Sequence, residues 1–90
     1  MGVKILGAKP GYIFTGCQMF YSKNVLEDSW GIIFDAMNFE KCMDISVKGG
    51  TLTMFTNSMF STPTDNIRVE DNPNVKFINC YTRAGDPVEG

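Results

Sequence analysis

The sequence predicts an all-β solenoid of about four stacked coils, and three observations carry that reading. Four segments share one alternating pattern: YIFTGCQM from Tyr12, IIFDAMNF from Ile32, LTMFTNSMF from Leu52 and VKFINCYT from Val75. A small residue or asparagine, Gly16, Ala36, Asn57 or Asn79, stands at the same place in each segment. Turn-forming stretches, KGG at 48–50, STPTDN at 61–66 and DNPN at 71–74, separate apolar runs that lack hairpin loops between them.

In chain order, MGVKILGAKPG (residues 1–11) is a lead-in or cap, and residues 12–90 hold the coils and a C-terminal tail. Tyr12, Ile32, Leu52 and Val75, at intervals of 20, 20 and 23, form one inward row, and Phe14, Phe34, Met54 and Phe77 form the next. Between them Ile13, Ile33, Thr53 and Lys76 face outward. Gly16, Ala36, Asn57 and Asn79 then supply a bend of one left-handed residue, a conformation that Gly and Asn tolerate best. After the bend come two more inward rows at intervals of 20, 21 and 22: Cys17, Met37, Ser58, Cys80 and Met19, Phe39, Phe60, Thr82. A third strand per coil holds Ile45 and Val47, then Ile67 and Val69 at the next coil, and Val25 continues the row one coil before Val47. Stacking sets like residues about 4.8 Å apart, so each row becomes an internal ladder.

One stretch has a competing pattern. Leu26, Trp30, Ile33 and Met37 recur at helical intervals behind Ser22 or Asn24 as a cap, which makes a small α+β domain with a helix over 24–38 the alternative fold. Gly31 costs that helix about 1 kcal/mol. The helix explains one segment, whereas the repeat explains four.

Composition narrows function by exclusion. A net charge of −2, from 8 basic and 10 acidic residues, supplies no basic stripe for nucleic acid. No stretch of about 18 apolar residues is present to cross a membrane as a helix, so a soluble chain is expected. Histidine is absent, which removes the commonest general base and transition-metal ligand, and no metal or cofactor is expected. Cys17, Cys42 and Cys80 fit neither a disulfide framework nor a metal knuckle and read as free, mostly buried thiols, with Cys42, beside Lys41, nearest to a reactive setting.

NVKFINCYT and GGTLTMFTNSMF resemble coils of right-handed parallel β-helix proteins, the pectate-lyase-like superfamily that includes many phage tailspikes, and the likeness spans residues 12–82. In that superfamily asparagine often holds the tight bend where Asn57 and Asn79 fall, whereas Gly16 and Ala36 depart from it. The paired Asp, Arg or His signatures of polysaccharide-cleaving members have no equivalent here, so no catalytic residue is carried over. The resemblance implies a non-catalytic structural or carbohydrate-recognition module of a tailspike or extracellular surface protein, on a virion or outside the cell. Two other classes stay open: a remnant polysaccharide lyase or hydrolase, and a small phage-type inhibitor with an apolar patch around Trp30.

Several side chains are candidates for those roles. Tyr21, Trp30 and Tyr81 offer rings that stack on sugars, and Asp44 and Asp65 are the acidic pair best spaced for adjacent coils. Lys48 and Glu70 are expected to face one another as an exposed cross-strand pair. Ile13 and Ile33, with Phe20 and Met59, form an apolar outward patch that either the N-terminal segment or symmetry mates must cover; the second case predicts a homotrimer.

Overall fold

The structure, a computed structural model, describes residues 3–8, 12–41, 44–61 and 67–88, apart from the side chains of Phe20 and Asp44. Strands numbered in chain order form three four-stranded parallel sheets. Sheet A stacks β1 (Lys4–Leu6), β4 (Lys23–Glu27), β7 (Asp44–Lys48) and β10 (Ile67–Glu70). Sheet B stacks β2 (Ile13–Thr15), β5 (Trp30–Asp35), β8 (Thr51–Thr56) and β11 (Val75–Ile78). Sheet C stacks β3 (Gln18–Phe20), β6 (Asn38–Glu40), β9 (Met59–Phe60) and β12 (Tyr81–Thr82). The chain runs A, B, C and repeats, so it visits each sheet four times and completes about three turns between its first and last strands.

This is the all-β solenoid the repeat predicts. The helix over 24–38 does not form: most of that stretch lies in β4, β5 and the start of β6, and Gly31 is left-handed at φ 76°. Lys4–Leu6, inside the stretch read as a lead-in, is a full strand that pairs with Val25–Glu27.

Left-handed residues turn the corners. Gly16, Ala36, Asn57 and Asn79 have φ of 66°, 52°, 51° and 55°, as their position in the repeat predicts. The same device serves the A-to-B corners, at Gly7, Asp28, Gly49 and Asp71, and the described C-to-A corners, at Tyr21 and Lys41. Tight backbone packing fixes one neighbour: a Cβ on Gly50 would lie 2.1 Å from the carbonyl oxygen of Ser29.

Three sheet B rows differ from the sequence reading by one residue in the third coil, the outward one included: Met54, not Thr53, lies opposite Ile33 and Lys76, and Thr53 is buried. Phe55, not Met54, lies opposite Phe34 and Phe77, and Thr53, not Leu52, lies opposite Ile32 and Val75. The step from the second coil to the third is longer by a single residue than the step from the first to the second. The extra residue enters between Glu40 and Asp44, because the offset is 20 through Phe20–Glu40 and already 21 at Lys23–Asp44 and Trp30–Thr51; Leu52, left-handed like Gly31 at the matching position, is turned to solvent. Because Met54 and Phe55 are both apolar, alternation alone does not choose between them; ring stacking favours Phe55. The ring centroids of Phe14, Phe34, Phe55 and Phe77 are spaced by 5.0, 5.1 and 4.9 Å, nearly parallel. On sheet A, Leu26 rather than Val25 faces Val47 in the core, and Val25 lies outward opposite Ser46. Tyr12 shares the row of Ile32 yet is 60% exposed, because it belongs to the first coil.

Phe39 and Phe60 stack at 5.0 Å on sheet C and meet the sheet B rings edge-on, while Ile5, Leu26, Val47 and Ile45 close the third side. Polar atoms inside the column are paired between coils. The Ser58 hydroxyl donates to the Thr56 carbonyl at 2.9 Å and accepts the Met37 amide at 3.2 Å, and Ser29 does the same with Glu27 and Ala8. At the last coil the chain turns back: Thr82 N–H donates to the Asp86 carbonyl and Val88 N–H to the Cys80 carbonyl, and Tyr81 bridges Pro87 antiparallel. Val88 is thereby buried under the end of sheet C.

Candidate functional site

The outer face of sheet B gathers the largest run of apolar side chains that the core does not use. Parallel register sets Ile13, Ile33, Met54 and Lys76 one above another. Ile13 is 70% exposed, Ile33 and Met54 are half-buried, and exposed Leu52 and Trp30 belong to the same two middle strands. The ladder holds Ile13, Ile33 and Met54 in turn and ends at a lysine.

Beside it, toward the B-to-C corner, runs a polar row. The Thr56 hydroxyl donates to Asp35 Oδ1 at 2.8 Å, the Asn57 amide donates to the same oxygen at 3.1 Å, and Thr15 reaches Oδ2 at 3.5 Å. These bonds hold the Asp35 carboxyl below its ordinary value of 3.8, Thr56 contributing most. Asn79 extends the row by donating to Asn57 Oδ1 at 2.8 Å. The carboxylate is thus committed to locking coils together. The sequence reading passed over Asp35; a threonine one coil before it and another one coil after were the available signal.

Sheet C presents a mixed face. Gln18, Asn38, Met59 and Tyr81 align across its strands, with Glu40 paired to Arg83 at one side. Lys41 lies 5.6 Å from the centre of the Tyr21 ring at the neighbouring corner. On sheet A, Val3, Lys4, Lys23, Val25 and Glu27 line a shallow groove.

The predicted site residues are only partly gathered. Ile13 and Ile33 are direct neighbours on sheet B, whereas Phe20 and Met59 belong to sheet C, around the corner. Tyr21 sits at a C-to-A corner of the first coil, Trp30 at the start of β5 and Tyr81 on sheet C of the last coil, so the structure does not bring the three rings together. Asp44 begins β7, but its side chain, Asp65 and Cys42 lie outside the described residues. Lys48 stands opposite both Glu27 and Glu70 in the register. Against the expectation of buried thiols, Cys17 is exposed because it lies in the first coil, whereas Cys80 is buried and burial pushes its thiol up. Among the described residues no group of potential metal ligands converges.

Compared with family models, curated proteins and solved structures, the chain matches none.

Proposed function

We propose that this chain is a non-catalytic structural module, a β-helix of the pectate-lyase-like kind, that serves a tailspike or extracellular surface protein by packing side by side into a homotrimer. The outward Ile13–Ile33–Met54 ladder, exposed at Ile13 and half-buried at Ile33 and Met54, carries the reading, with exposed Leu52 and Trp30 on the same two middle strands. Burying such a face against symmetry mates stabilises an assembly by about 25 cal/mol per square ångström of apolar surface removed from water, and triangular columns placed side by side close around a threefold axis. Two described groups whose ionisation the fold biases are in keeping with a non-catalytic role. Asp35 is held ionised by coil-to-coil bonds and Cys80 is held as the neutral thiol, neither poised near neutrality for proton transfer or attack.

Sedimentation of the wild-type chain at tens of micromolar tests this directly. A trimeric unit is expected, and Ile33→Lys, which sets a charge in the face and leaves the inward rows intact, should dissolve it without loss of the β signal. A mass that Ile33→Lys does not change counts against the face.

Carbohydrate recognition is the second reading, favoured by exposed Tyr21 and Tyr81 on and beside the mixed face of sheet C. Quenching of tyrosine fluorescence by neutral or acidic oligosaccharides, abolished by Tyr81→Ala, is its test.

A further inference from the structure

The two ends of the column treat their open strand edges differently. In a parallel ladder alternate residues turn both backbone groups to the same neighbour. The Ile33 amide donates to the Tyr12 carbonyl and the Gly16 amide donates to the Asp35 carbonyl, so Phe14 faces β5 while Ile13 and Thr15 turn their N–H and C=O groups to the edge. The same logic, from Asn38 to Cys17 and from Tyr21 to Glu40, turns the backbone of Gln18 and Phe20 outward. Among the described residues no backbone group pairs with these outward groups, and the Thr15 carbonyl accepts the Cys17 thiol at 3.5 Å.

Proteins blunt such edges with charge or cover. The last coil has both: Arg68, Glu70, Lys76 and Arg83 on its strands or next to them, and the return through Val88 over sheet C. Among the described residues the first coil has neither on sheets B and C: residues 12–22, YIFTGCQMFYS, carry no charge, and no described segment returns over them. Tyr12 and Ile13 stand exposed there, and Phe14 and Met19 of the core are only half-covered.

We infer that the uncharged β2–β3 rim is a docking edge for a second copy of this chain, rim to rim across a twofold axis with the paired strands antiparallel. Head-to-tail addition would set this rim against the charged and covered end. Rim-to-rim pairing instead satisfies the outward amides of both copies and covers both half-open Phe14 rows. It also leaves only blunted ends outside, so the assembly closes at two. This contact is independent of the sheet B face, and its stoichiometry distinguishes it: the rim doubles the mass, whereas the face multiplies it by three.

Sedimentation equilibrium of wild type, Thr15→Pro and Ile33→Lys is the experiment. Thr15→Pro removes an outward N–H that the ladder does not use, a position where an edge strand accepts proline. The expected result is an even-numbered wild-type assembly that Thr15→Pro halves with its circular dichroism unchanged, while Ile33→Lys keeps the twofold contact and yields a dimer. An odd-numbered wild type, or a folded Thr15→Pro of unchanged mass, overturns the proposal. Should Thr15→Pro fail to fold, amide exchange of the wild type decides: the Ile13 and Thr15 amides should slow with rising protein concentration while those of Val75 and Phe77 at the other end do not. Equal and concentration-independent exchange at both ends overturns it as well.

Discussion

Cys17 and Cys80 occupy the same row of the repeat, each just past a left-handed bend, yet Cys17 is exposed and Cys80 is 2% exposed. They differ in which coil they belong to. Cys80 lies under Val88, which the C-terminal return lays over it, and its thiol bonds the Phe55 carbonyl at 3.1 Å. Cys17 has no such cover among the described residues. In a stacked fold, facing inward in one coil buries a side chain only when another coil or a cap closes the space beside it, so equal positions in the repeat need not be equally buried.

The largest expected effect tests that statement along the phenylalanine row. Phe55, fully buried between Phe34 and Phe77, should cost about 3–5 kcal/mol on change to alanine. Phe14, stacked on one side only, should cost less than about half as much by the same cavity argument. Denaturant titration measures both, and equal losses would break the comparison between ends and middle.

The return itself is tested next. Val88→Asp sets a carboxylate where the chain buries a valine, at a cost of about 2 kcal/mol unless the return peels away. In either case Cys80 should react with a thiol reagent at a rate approaching that of Cys17, whereas in the wild type Cys17 is modified first. Prompt modification of Cys80 in the wild type would mean that Val88 is no cap.

The bends should behave alike at both ends, which sharpens the contrast. Asn79→Val and Gly16→Val each force a β-branched residue into left-handed conformation and should each cost about 1–2 kcal/mol, while Asn79→Gly is nearly neutral. A Cβ at Gly16 meets nothing within 4 Å, so backbone conformation alone sets its cost. A large difference between the two valine variants would show that end effects reach the corners.

The smallest effect is electrostatic. Because the carboxyl of Asp35 is lowered below 3.8 in the folded chain, its contribution to stability is present above that value and is lost as pH falls through the folded one. Asp35→Asn should remove that part of the acid loss. In an NMR titration, Thr56→Val should raise the Asp35 value more than Thr15→Val, in keeping with bonds of 2.8 and 3.5 Å on its two sides.

Much of this molecule is legible in one dimension because a solenoid repeats its local physics. A nearly constant coil length, inward rows of Phe and Met, and Gly or Asn at most of the bends determined the all-β stack, the sheet C rows and the B-to-C corners. Each of these is set by residues near in sequence and by strand alternation. The adjacency of Ile13 and Ile33 was legible for the same reason. What tertiary structure decided was register and cover. Whether Met54 or Phe55 enters the core depends on which of two apolar side chains stacks on Phe34, a contact between neighbouring coils. Val25 and Leu26 are ordered in the same way by the partner Val47. The exposure of Tyr12, the burial of Cys80 and the separation of Tyr21, Trp30 and Tyr81 depend on coil position and on the return through Val88. The repeat specifies what one coil contributes, and stacking decides what lies above and below it.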